Sequence, residues 1–300
     1  MINVQGLNKQ FDGFQALNNL HLNVEKGSIY GLIGVNGSGK TTLIRHLTGV
    51  LKADTGTVQM DGQDVFDNVA VKQRLGYIPD ELFFFGSYTL RAMSRFYKGL
   101  YPNWNEDRYD AMVADFALPE RSRLSRFSKG MQKQAQFILT MSCMPDFLVL
   151  DEPIDGLDPI VRKKVWKYIV DDVAERQMTV LVSSHNLKEM EGICDSIGIL
   201  SHGEMKIERD LDELKSDIHK VQAAFHNQED ADRAFAGLNV AHREKSGSVE
   251  HLIIRGARED VEKAVYAADP IIFDMLPLSL EEVFIFEMGG ENDDIAQLLS

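Results

Sequence analysis

Between residues 2 and 24 the apolar side chains fall into two runs, Ile2 and Val4, then Leu17, Leu20, Leu22 and Val24, parted by Asp12-Gly13. Alternation on either side of a glycine turn predicts paired, half-buried strands. Residues 28–33 are a short continuous apolar run, the pattern of a strand covered on both faces, and helical spacing follows at once over 41–47. Residues 57–60, bracketed by Thr55-Gly56 and Asp61-Gly62, and residues 75–78, closed by Pro79, read as further strands. From Leu82 to Met144 the texture changes. Leu90, Met93, Phe96 and Tyr97, and again Tyr109, Met112, Val113 and Phe116, repeat at the period of a helix, and no strand pattern interrupts them. Strands resume at 147–150, 179–182 and 196–200, separated by helices at about 159–176 and 187–193. Such alternation implies a parallel sheet with helices on both faces. Residues 1–210 therefore read as an α/β domain with antiparallel N-terminal strands, a mostly parallel sheet and an inserted helical subdomain at about 82–144. Residues 211–300 read as a small α+β unit with strands at 221–225, 241–245, 251–254 and 271–273 and helices at 229–238 and 259–268. That is the order of a split β-α-β-β-α-β module, expected to brace a dimer or regulate. The acidic stretch after Gly289 reads as a frayed end.

Composition narrows the partners. With 32 basic and 46 acidic residues the net charge is −14, which argues against a nucleic-acid backbone or anionic lipid as the main binding surface, since both reward clustered Lys and Arg. No run reaches the roughly 20 apolar residues of a membrane span; residues 137–150 come nearest and are broken by Pro145-Asp146. The start, Met1-Ile2-Asn3-Val4, lacks the basic and apolar segments of a secretory signal. The chain is thus expected in the cytoplasm. Cys143 and Cys194 form no C-x-x-C pair, lie in apolar surroundings and read as buried free thiols.

The candidate chemistry begins between the buried strand and the helix that follows it. Gly34, Val35, Asn36, Gly37, Ser38, Gly39, Lys40, Thr41 and Thr42 fit G-x-x-x-x-G-K-[ST], the phosphate loop of P-loop NTPases. Its glycines let consecutive N–H groups turn toward one polyphosphate, and the helix N-terminus adds a favourable field of about 0.3–1 kcal/mol for an anion. Lys40 is placed to reach the terminal phosphates of a nucleotide, and the Thr41 hydroxyl to hold Mg²⁺. Downstream, the apolar run 147–150 ends in Asp151-Glu152. A carboxylate at a strand tip can bind Mg²⁺ through water, and Glu152, pointing elsewhere because side chains alternate along a strand, can face an attacking water as general base.

Between these two motifs lies Phe127-Ser128-Lys129-Gly130-Met131-Gln132-Lys133-Gln134. Here the chain resembles the ATP-binding-cassette family, whose signature runs Leu-Ser-Gly-Gly-Gln; Ser128 and Gly130 keep the pattern, while Phe127, Lys129, Met131 and Gln134 depart from it. A hydroxyl and a glycine opening a helix make a second anion site, and the resemblance implies that Ser128, Lys129 and Gly130 serve the nucleotide of another subunit. It further implies that Asp158, in Asp155-Gly156-Leu157-Asp158, lies at a dimer interface, that His185, after Ser183-Ser184, contacts the γ-phosphate, and that Phe11 stacks on adenine. After Tyr77-Ile78-Pro79 the family usually has Gln, whereas this chain has Asp80 followed by Glu81. A carboxylate there still suits Mg²⁺ but has one methylene fewer and no donor.

The resemblance spans about residues 2–210 with the motifs in order, and Tyr77–Phe85 with the 128–131 segment is most similar to ATPase subunits of bacterial lantibiotic and bacitracin exporters and the related acetoin-utilisation group. Leu278-Ser279-Leu280-Glu281-Glu282-Val283-Phe284 is similar to the segment that ends many such subunits. The implied activity is ATP hydrolysis driving a separate transmembrane permease, with a second ATPase subunit completing the site, peripheral on the inner face of the cell membrane. Two alternatives stand beside it. One is a mechanical ATPase without a permease, which the acid surplus and the short separation of Lys40 from Ser128 disfavour, as neither DNA binding nor a coiled-coil insertion fits. The other is a non-catalytic nucleotide sensor, motivated by Asp80. Phe83-Phe84-Phe85 reads equally as a permease contact and as the core of the helical subdomain.

Overall fold

The computed structural model describes residues 1–185, 187–211, 213, 218–276, 278–280 and 282. Among them, residues 1–185 and 193–208 make one compact unit, and the described residues of 186–192 and 209–300 make the other. In the first unit β1 (Ile2–Phe11) pairs antiparallel with β2 (Phe14–Val24), Ile2 opposite Val24 and Phe11 opposite Phe14 across the Asp12-Gly13 turn. On its other edge β1 pairs with β4 (Thr55–Met60), which carries the two-residue β5 (Gln63–Asp64).

The second sheet holds the chemistry. It contains β3 (Ile29–Ile33), β6 (Leu75–Ile78), β7 (Phe147–Asp151), β8 (Thr179–Ser184), β9 (Ser196–Ser201) and β10 (Glu204–Asp210), in the order β10-β9-β3-β8-β7-β6. From β6 through β9 every neighbouring pair is parallel. Every residue of β3, β7 and β8 is buried, which is why these strands read as unbroken apolar runs. Strand β10 is less legible, because Met205 and Ile207 are only half-buried on a sheet edge and charges separate them.

The helices begin where their caps dictate. Lys40–Leu47 (α1) leaves the loop after β3, and Val69–Lys72 (α2) is a single turn capped by Asn68. In the helical insertion, α3 (Leu90–Leu100) starts at Thr89, α4 (Glu106–Phe116) at Asn105 and α5 (Lys129–Ser142) at Ser128, each cap side chain accepting a backbone N–H three residues on. Asp158 caps α6 (Pro159–Arg176), which has Pro159 in its first turn. One expectation needs correcting. The helix expected at 187–193 is the single turn Leu187–Met190 (α7), with Gly192 following it. Phe96 lies on α3 as its spacing implied, 40% exposed and in an aromatic group with Phe85, ring centroids 5.6 Å apart.

In the other unit β11 (Ile218–Ala224), β12 (Asn239–Ser246), β13 (Val249–Arg255) and β14 (Ile272–Leu276) form an antiparallel sheet in the order β12-β13-β11-β14. Helices Gln228–Phe235 and Arg258–Tyr266 cover it through a core that includes Val221, Phe235, Leu252, Ile254, Val261 and Val265. Leu278 and Leu280 are buried, whereas Glu281, Val283, Phe284 and the stretch after Gly289 lie outside the described residues. Both cysteines are buried free thiols. Among the described residues no helix is long and apolar enough to cross a membrane.

One buried charge ties the helical insertion to α6. The Asp172 side chain, 4% exposed, accepts from Arg108 Nη2 on α4 at 2.8 Å and from Arg176 Nη2 at 2.7 Å. The Nε groups of both arginines are buried without partners, so Asp172 is the anion that both guanidinium groups share, Arg176 adding a bond from Nη2 to the Pro145 carbonyl at 3.3 Å. Asp172→Ala leaves two cations short of their anion and should cost about 3 kcal/mol of stability in urea unfolding; a loss below about 1 kcal/mol would mean that the link is incidental.

Candidate active site

Because β3, β8 and β7 are parallel neighbours, their C-terminal ends open on one edge of the sheet, where an open α/β sheet offers its binding crevice. Residues 34–39 leave β3 there and turn into α1. A Cβ at Gly34 would overlap Ser38 Oγ and the Leu200 carbonyl, and Gly39 sits at φ 111°, so both positions require glycine. Lys40, 7% exposed, folds back to donate from Nζ to the carbonyls of Gly34 and Val35. Burial lowers its pKa, and Glu152 and Asp151 act in the opposite direction.

Asp151 ends β7, and its Oδ1 accepts from Ser183 Oγ on β8 at 2.6 Å. The same Ser183 oxygen accepts from the Glu152 N–H at 3.3 Å, so one hydroxyl holds the Asp151 carboxylate and the Glu152 main chain. Glu152 diverges from Asp151 for a reason other than strand alternation: the strand has ended, and Glu152 takes a left-handed φ of 47°. That turn carries its carboxylate to His185, Glu152 Oε1 lying 3.0 Å from Nδ1. Burial raises the Glu152 pKa, with His185 and Lys40 pulling it down and Asp155 adding to the rise. The pKa of His185 is raised chiefly by its hydrogen bond to Glu152.

These groups surround a cleft of about 340 Å³, within the range of nucleotide-sized sites. Asn36, Gly37, Gly39, Lys40, Thr41, Thr42, Asp80, Asp151 and Glu152 line it. Gly34, Val35 and Ser38 form the loop behind that wall, with Ser38 Oγ buried and unpartnered. Phe11 is not among the lining residues; it is 41% exposed with Lys9 Nζ 5.3 Å from its ring. Its cross-strand partner Phe14 lines the cleft instead. The hairpin could have pointed to Phe14, since a tight Asp-Gly turn sets the residues flanking it side by side.

Ser128, Lys129 and Gly130 stand apart, at the start of α5, where Ser128 Oγ accepts from the Met131 N–H at 3.2 Å. Asp158 is likewise outside the cleft, exposed and capping α6. The two segments adjoin, because a Cβ on Gly130 would lie 3.6 Å from the Gly156 carbonyl. Reasoning from the residues gave no role to Ser183, nor to Asp155, whose carboxylate lies with Glu152 and His185 in one cluster of donor atoms within 4.8 Å.

A parallel sheet with a phosphate loop after its central strand, paired carboxylates at the tip of β7 and a histidine beyond β8 defines an ATP-hydrolysing cassette. The chain belongs to the ABC transporter family, among its ATP-binding proteins. A family profile described as ABC transporter matches residues 17–155. The ABC transporter ATP-binding protein YtrB of Bacillus subtilis (strain 168) is 34% identical over 97% of this chain and 99% of its own length. The bacitracin transport ATP-binding protein BcrA of Bacillus licheniformis is 31% identical over 72% of this chain and 71% of its own length. A solved ATP binding subunit of an ABC transporter superposes with a TM-score of 0.67 at 26% identity, covering 72% of this chain and 92% of that one.

His185 holds the Glu152 carboxyl down against burial, so His185→Ala removes a lowering influence and the Glu152 pKa rises further. As candidate general base Glu152 would act in its carboxylate form, so the acidic limb of the kcat profile should move to higher pH in this variant. A limb that stays in place, or moves to lower pH, would contradict the coupling of these two groups.

Proposed function

We propose that this chain is the motor subunit of a transporter whose membrane permease is supplied by other chains, and that it works as a head-to-tail pair at the inner face of the membrane. The observation that carries this reading is a separation. The cleft holds the phosphate loop and the Glu152 pair, yet Ser128, Lys129 and Gly130, a helix start suited to an anion, are not among the residues that line it in the same chain. They become useful when a second subunit presents them to the γ-phosphate, with Asp158 at the seam. Binding of ATP then closes the pair, because the nucleotide touches both halves only in the closed state.

Within each cleft the roles follow from placement. Lys40 and the loop N–H groups hold the phosphates, and Phe14, with Phe11 beside it, supplies an aromatic surface for the adenine. Thr41, Asp80 and Asp151 bring oxygen donors to one wall, a donor set that suits Mg²⁺. When bound, the ion neutralises phosphate charge. Glu152 accepts the proton of the attacking water, and His185 fixes the orientation of that carboxylate. The permease contact is the aromatic group on the helical insertion: Phe83 is 80% exposed, with Phe85 and Phe96 beside it. Export is the proposed direction, supported by the resemblance to antibiotic-peptide exporters. The β11–β14 unit is proposed to brace or regulate the pair.

Glu152→Gln keeps the shape of the cleft and removes the base. It should bind ATP, lower hydrolysis by roughly 10²-fold or more, and accumulate as an ATP-dependent dimer in size-exclusion chromatography. Wild-type turnover in this variant would refute the assignment of Glu152.

A further inference from the structure

Lys133 stands on the second turn of α5, on the helix that Ser128 opens, and none of the roles above uses it. Its side chain is 13% exposed, and the ammonium has two partners from different elements. It donates to the main-chain carbonyl of Glu152 at 3.0 Å and lies 3.5 Å from Asp80 Oδ1. A single cation therefore joins the signature helix, the loop after β6 and the strand-end turn that bears the base.

The geometry of Glu152 gives that contact its meaning. A non-glycine residue at φ 47° holds a sparsely populated conformation that persists only where its surroundings over-determine it. Here both of its peptide groups are held by side chains of other elements, the N–H by Ser183 Oγ and the C=O by Lys133 Nζ. Those two holds point the carboxylate into the cleft. Asp80, in turn, departs from the Gln expected at its position, lines the cleft and leaves 56% of its side chain exposed. A carboxylate rather than an amide at this position can pair with an ammonium.

We propose that Lys133 is a positioning residue for hydrolysis: its ammonium fixes the peptide that carries Glu152 and ties it to Asp80 at the mouth of the phosphate cleft. A change in how Asp80 is engaged is thereby felt at the base through one shared cation. Lys133 does not touch the phosphate loop, so nucleotide affinity and turnover should respond differently to its loss. The proposal rests on Glu152 as general base, and the Glu152→Gln experiment judges that assignment by itself.

The test uses the full chain with Lys133→Met, Lys133→Arg, Asp80→Asn and the double variant Lys133→Met/Asp80→Asn. ATP turnover is measured alongside titration with a fluorescent ATP analogue and thermal melting. Misplacing a base by an ångström costs up to about 10²-fold, so Lys133→Met should lower kcat at least about tenfold while KM and analogue affinity change less than about twofold. Lys133→Arg should recover most of the turnover. The double variant should fall below Lys133→Met by less than Asp80→Asn falls below wild type, because part of what Asp80 does passes through the missing cation while its oxygen on the Mg²⁺ wall acts by itself. Turnover within twofold of wild type in Lys133→Met overturns the proposal, and with Glu152→Gln inactive it leaves the base assignment standing. Joint loss of analogue binding or cooperative melting with turnover, unrelieved by Lys133→Arg, also overturns it, as do fully additive losses in the double variant.

Discussion

Everything at this site depends on a buried ammonium that is held by the carbonyls of the phosphate loop and feels the charge of two carboxylates at the end of β7. Burial lowers the Lys40 pKa, and Glu152 and Asp151 oppose that shift. A polyphosphate entering the cleft meets the same balance from the other side, since it supplies anions to a cation already stripped of solvent. The sheet makes this possible. With β3, β8 and β7 side by side and parallel, the phosphate loop, Ser183 and the Asp151-Glu152 pair emerge at one edge without any long excursion of the chain.

The two carboxylates differ in setting because the backbone separates them. Asp151 is still in the strand, buried and bonded to Ser183, which suits a fixed ligand. Glu152 lies past the end of the strand in a left-handed turn, made more basic by burial and steered by His185. Ser183 anchors both, and Lys133 grips the far side of the turn. Such a turn is stable only when several neighbours agree on it, which explains why so short a segment engages β8 and α5 together.

Much of this was legible in the sequence. Unbroken apolar runs marked β3, β7 and β8, and residue types at strand ends marked the phosphate loop and Asp151-Glu152, whereas His185 was singled out by the family resemblance. Helical spacing marked α3 and α4, and the structure shows the caps that start α3 to α6, where Thr89, Asn105, Ser128 and Asp158 each accept a backbone N–H. What escaped depends on contacts distant in sequence. Phe14 gained its place by hairpin register rather than by motif, and Phe96 followed helical spacing yet pairs with Phe85 on the surface. The turn at Glu152 and the reach of Lys133 to Asp80 are tertiary facts that periodicity does not encode. Strand β10 was missed because an edge strand needs only one half-buried face, and its charges hide the alternation.

The central claim is that each chain carries two complementary halves of different catalytic sites. Mixing two inactive proteins tests it most directly, one with Lys40→Ala in the phosphate loop and the other with Gly130→Asp in the signature. Each should fail to turn over ATP alone. In a mixed pair, the intact phosphate loop of one meets the intact signature of the other, and the account predicts that hydrolysis returns. A mixture as inactive as its components, or a Gly130→Asp protein that hydrolyses ATP unaided, would contradict it.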